Sequence, residues 1–133
     1  QEPETPAASY HTAYARQVAE LVNAQRASAG LDPLAWDPSL ASAANIRSKE
    51  LIVLFSHTRP DGTDCFTAIS NWQDYAALGE NIAAGQPSPS VDMNAWMNSS
   101  GHRANILNSH YTKIGVSCYD KDDMYHWVQI FGG

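Results

Sequence analysis

The sequence predicts an α+β domain with a largely antiparallel sheet between helical layers, on three observations. The N-terminal half carries apolar residues at helical spacing behind recognisable start signals. The C-terminal residues alternate strictly on either side of an acidic turn. Clusters of Pro, Gly and Ser punctuate the chain between these regions.

In chain order, residues 12–29 read as a helix, with Tyr14, Val18, Leu21 and Val22 along one stripe. Thr12 is placed to cap its start, and Gly30 to end it in a left-handed conformation. A second helix starts at Pro38 behind Asp37 as its cap, with Leu40, Ala44, Arg47 and Leu51 down one side. Its end, "LIVLF" (residues 51–55), is expected to enter the interior. "RPDG" (59–62) is a turn, and "TDCFTAIS" (63–70) a short helix. "LGENIAAG" (78–85) reads as a strand that places Glu80 and Ile82 on one face. After the breaker "QPSPS", Ser88 and Pro89 start a helix holding Met93, Trp96 and Met97, which ends at "SSG" before a further turn. "KIGVSCY" and "MYHWVQIF" flank "DKDD" as a β-hairpin.

One domain is expected over residues 12–133, with residues 1–11 a disordered tail or linker. The composition of "QEPETPAAS" supports the latter and suits a processed, exported chain. Hydrophobic residues at 44% and charged residues at 17% fit a globular domain. A net charge of −6 argues against nucleic acid as a partner and against docking on anionic lipid by charge alone. The run "LIVLF" falls far short of the roughly 20 apolar residues that cross a bilayer, so no transmembrane segment is expected.

Cys65 and Cys118 are the two cysteines. Bridged, they would close a long loop worth about 4 kcal/mol; reduced, they are two buried thiols. Both readings stay open, and the absence of C-x-x-C argues against redox catalysis. Of five histidines, His11 and His110 read as surface residues and His126 as a packed strand residue. His57, where an apolar segment emerges into a turn, and His102, at a helix junction, are better placed to line a cleft. Glu80, among small and apolar neighbours, needs a partner for its charge. No local metal or nucleophile motif joins these residues. Ordinary hydrogen-bonded histidines explain the pattern as well as a site does.

"NAQRASAGLDPLAWDPSLASAA", "FSHTRPDG", "LGENIAAG", "WMNSSGHRANILNSHYTKIGV" and "WVQIF" occur in the order found in the CAP superfamily, and residues 12–131 resemble its bacterial branch. The family comprises cysteine-rich secretory proteins, antigen 5 and pathogenesis-related proteins. The resemblance implies a three-layer α–β–α sandwich and a secreted or cell-envelope location. It also implies a cleft in which His57 and His102 hold a divalent cation, often zinc, beside Glu80. Ser99 stands where the family usually has a second acid, so cation binding is expected to be weak. The function expected is non-enzymatic binding of a small ligand, a metal, or a lipid, sterol, envelope or host-surface partner, with no catalytic residue assigned. The alternatives are a metal-assisted hydrolase of peptide or envelope polymer, with Glu80 as base, and a structural wall or coat module.

Overall fold

The C-terminal alternation becomes the centre of a five-stranded sheet. In the computed structural model, which describes residues 8–133, β4 (Lys113–Lys121) and β5 (Met124–Gly132) pair antiparallel in unbroken register from Lys113↔Gly132 to Lys121↔Met124. Asp122 and Asp123 join them with φ of 55° and 63°. Two left-handed residues give the turn whose twist matches a hairpin, and Asp tolerates that region better than most residues. β3 (Leu78–Ala84) pairs antiparallel with the far side of β5 and forms one edge of the sheet. The outer side of β4 takes two short strands: β1 (Ala8–Tyr10), antiparallel at one end, and β2 (Ala35–Trp36), parallel at the other.

Helices cover both faces. α1 (Thr12–Ser28), α3 (Pro89–Met97) and α4 (Ser100–Ile106) enclose one core around Val18, Val22, Trp96, Ile114, Trp127 and Phe131. α2 (Pro38–Val53) and a 3-10 turn at Cys65–Ala68 enclose the other, around Leu40, Ala44, Ile69, Val128 and Ile130. The result is the three-layer α–β–α sandwich. Because neither face meets water, the polar half of the hairpin alternation is buried too, including Ser117, His126 and Gln129. At Gly115 a Cβ would strike the backbone of Leu40 and Ala41, so glycine lets α2 lie directly on the sheet.

The start signals for α2 and α3 act as the sequence indicates. Asp37 Oδ1 accepts from Ser39 N–H at 2.8 Å, and Ser88 Oγ from Val91 N–H at 3.3 Å. At α1 the expectation is corrected. Thr12 is the first helical residue, and His11 takes the N-cap position without a side-chain bond. The expected disordered tail over residues 1–11 is corrected as well, since Ala8–Tyr10 are ordered as β1 along the open side of β4; residues 1–7 lie outside the described residues. β2 is absent from the sequence reading, because two residues carry no periodicity.

"LIVLF" does not enter the interior. Leu51 is buried, but Val53 is 75% and Phe55 53% exposed. The helix ends at Val53, and only the stripe through Ala44, Ser48 and Leu51 faces the sheet. The bridge between Cys65 and Cys118 is corrected to two free, buried thiols. Cys118 belongs to the α1 core, while Cys65 lies on the α2 side beside Glu80, with the sheet between them.

Candidate functional site

The candidate site is built around Glu80 on the edge strand β3. Strand alternation sends Glu80 toward α2 and Asn81 toward α4, so adjacent residues anchor groups from opposite layers. Glu80 is 6% exposed, and its charge is met by Arg47 of α2, itself 0% exposed. Arg47 Nε donates to Glu80 Oε2 at 2.8 Å and its Nη2 to Oε1 at 3.2 Å. The fork geometry of guanidinium on carboxylate makes this a strong pair. Arg47 also bonds Glu50 at 2.9 Å and the Ser56 carbonyl, and Glu50 is held in turn by Arg59 at 2.8 Å. The loop after α2 is thereby tied to the helix by alternating charges.

That loop delivers His57, whose Nδ1 lies 2.7 Å from Glu80 Oε1. The carboxylate accepts the Nδ1 proton, which leaves Nε2 of the neutral ring as a lone pair directed away from Glu80. The same hydrogen bond raises the His57 pKa above its ordinary value, against a smaller opposing effect of burial. Over half of the His57 side chain, 58%, is open to solvent.

His102 approaches from the other layer. Its Nδ1 lies 2.8 Å from Ser99 Oγ, and its backbone carbonyl accepts from Asn81 Nδ2 at 3.0 Å. Asn105 of α4 donates to Asn81 Oδ1 at 2.8 Å, and Asn81 also donates to Gln129 at 3.0 Å. A buried amide ladder therefore fixes α4 on the sheet edge. Burial lowers the His102 pKa, and the proximity of His57 lowers it further. One imidazole is thus held toward the cation and its neighbour toward the neutral base.

Of the expected site residues, His57 contacts Glu80 and His102 contacts Ser99, and the two histidines are near enough for His57 to act electrostatically on His102. His126 is buried, 3.4 Å from the Tyr119 carbonyl; His11 lies beside Asp120, and His110 is exposed. Two site residues escape the sequence reading. Arg47 was legible only as a charged residue on an apolar helix stripe, a signal that asks for a buried partner. Cys65 is the other: ligand atoms of His57, Cys65 and Glu80 all lie within 4.8 Å of one another. This is a possible metal-binding group by geometry. Arg47 donates to both oxygens of the carboxylate, however, and burial followed by the Glu80 charge raises the Cys65 thiol pKa. A cation there would have to displace a guanidinium and ionise a reluctant thiol. The trio is better matched to hydrogen bonding than to metal.

A sheet between two helical layers, with paired histidines over its edge carboxylate, defines a secretory-protein-type sandwich. The chain belongs to the cysteine-rich secretory protein (CAP) family, whose model matches residues 19–131. It is similar to the uncharacterized protein YkwD of Bacillus subtilis, 39% identical over 97% of this chain and 51% of that protein. It is also similar to an extracellular SCP-domain protein of Bacillus anthracis, at 29% identity and a TM-score of 0.83 over 99% of this chain and 45% of that one. The chain thus spans about half the length of each of these relatives. A structure of NaASP2 with Zn2+ shares the fold at a TM-score of 0.67, with 14% identity over 92% of this chain and 80% of that one. Among the described residues no helix is long and apolar enough to cross a membrane.

Proposed function

We propose that this chain is an extracellular or envelope-associated, non-enzymatic binding domain that recognises its ligand through the two histidines over the β3 edge. The supporting observation is that each ring uses Nδ1 internally, on Glu80 or Ser99, and that neither Nε2 has a hydrogen-bond partner among the described residues. Two neutral imidazole nitrogens suit a divalent cation such as zinc, or the polar head of a small lipid, sterol or envelope ligand. Glu80 acts from behind, by orienting His57, rather than as a ligand, because Arg47 holds both of its oxygens. With two protein donors where stable zinc sites supply three or four, cation binding is weak and exchangeable.

Calorimetry with zinc at neutral pH tests the reading. His57→Ala and His102→Ala should each abolish binding, whereas His110→Ala should leave it intact. Binding that survives loss of either cleft histidine overturns the assignment. One contact favours the hydrolase alternative, Ser99 Oγ against His102 Nδ1. His102 has no carboxylate on its other nitrogen among the described residues, so a serine there lacks an oriented base. Metal-dependent turnover of a peptide or envelope substrate would reverse that ranking.

A further inference from the structure

The opposite edge of the sheet carries a second site, independent of the histidine cleft. β1 pairs with β4 only from Tyr119 onward, and β2 only as far as Ile114. Between them, Cys118 C=O accepts from His11 N–H and Ile114 C=O from Asp37 N–H, both at 2.9 Å. These bonds fix the orientation of the strand. Backbone polar groups change sides at each residue, so those of Ile114, Val116 and Cys118 all point away from β5. For Val116 no strand lies on that side. Its N–H and C=O, and the N–H of Cys118, have no hydrogen-bond partner among the described residues. Val116 and Cys118 are 2% and 1% exposed, and buried backbone groups are almost always paired.

These groups open onto a slot of about 140 Å3. Tyr10, Ala15, Trp36 and Ala41 line it, with Arg16, whose guanidinium stacks on the Trp36 ring at 4.0 Å, and Asn45, which makes no side-chain hydrogen bond of its own. The volume admits one small planar group. A strand residue presents its N–H and C=O side by side, so the complement is a group with an acceptor and a donor side by side. A trans peptide amide points the two in opposite directions, but a primary carboxamide does not.

We propose that this slot binds a primary carboxamide, as found in a glutamine-type side chain or an amidated chain end. The ligand oxygen accepts from Val116 N–H, one of its N–H groups donates to Val116 C=O, and the second donates to Asn45 Oδ1. The aliphatic stem rests against Ala15 and Ala41.

Titration of the full chain with propionamide, followed by 15N–1H NMR, tests this. The Val116 amide signal should shift saturably. N,N-dimethylpropionamide keeps the oxygen but loses both donated hydrogen bonds, and should bind at least about tenfold more weakly. Ala41→Leu, at a half-buried position, should remove the shift while the spectrum stays dispersed; Asn45→Ala should weaken it if Ala41→Leu proves unfolded. No saturable Val116 shift, an equal response to the dimethyl compound, or full binding by both variants would each overturn the proposal. N-acetylglutamine and N-acetylalaninamide then distinguish a side-chain source from an amidated end.

Discussion

Each face of the sheet buries a carboxylate, and the two are treated in opposite ways. On the α2 face, Glu80 accepts from Arg47 through both oxygens and from His57. On the α1 face, Asp92 in the first turn of α3 is 0% exposed, and neither of its oxygens has a partner among the described residues. Burial pushes its carboxyl up to about 9, so at neutral pH it is an uncharged acid. Depth alone does not set the charge of a buried acid in this fold; a matched cation does. The charged carboxylate stands at the sheet edge, where it orients a histidine, and the neutral one is enclosed by apolar core.

The largest expected effect breaks the Glu80 side of this contrast. Arg47→Met leaves Glu80 and the Ser56 carbonyl without their donor and should cost about 3–5 kcal/mol in urea denaturation. Glu80→Leu strands Arg47 and should cost about as much, with Glu80→Gln clearly milder because it keeps an acceptor. The double variant Arg47→Met/Glu80→Leu should recover much of the loss. Single losses near zero would mean that water, and not the pair, carries these charges.

Asp92 should show the opposite signature. Its folded carboxyl stays protonated where the unfolded chain has released the proton, so stability falls as pH rises from 3.8 toward about 9. The slope cannot exceed about 1.4 kcal/mol per pH unit. Asp92→Asn removes that slope, and the two proteins should diverge steadily on going alkaline. Parallel curves would show that Asp92 is ionised.

A smaller effect separates the two cleft histidines. By NMR titration His57 should titrate above 6.5 and His102 below it. The contribution of His57 to stability is present below 6.5 and lost as pH rises through its raised value; His102 removes stability as pH falls below 6.5. Zinc affinity should therefore begin to fall above 6.5 on acidification, as His57 protonates first, and Glu80→Gln should move that fall to lower pH. An unchanged profile in Glu80→Gln would sever Glu80 from the cleft. The smallest effect concerns the chain start. Removing residues 1–7 should change the thermal midpoint by no more than about 2 °C, whereas removal through Tyr10 deletes β1 and should lower it by several degrees.

Much of the fold was legible because local signals agreed with the tertiary outcome. The hairpin, the Asp37–Pro38 and Ser88–Pro89 helix starts and the strand around Glu80 all follow from periodicity and turn chemistry. Errors fell where a segment depends on distant neighbours. Ala8–Tyr10 looked like linker because its order comes from an open edge of β4 more than a hundred residues away in sequence. "LIVLF" looked like core because hydrophobicity does not say which face of a helix end meets the sheet. For the site, the resemblance to the family singled out His57, Glu80 and His102, while the charge partner Arg47 was hidden as one more helical residue.

By itself, then, the sequence determined the three longer helices, the strand around Glu80, the hairpin, their order and the family to which the chain belongs, because these rest on short-range patterns repeated several times over. The tertiary structure alone decided that Cys65 and Cys118 lie on opposite faces, that Glu80 is paired and Asp92 is not, and that Val116 faces a gap between two strands. Each of those facts depends on what approaches a residue from another part of the chain, and a partner brought in across the fold leaves no trace in the residues beside it.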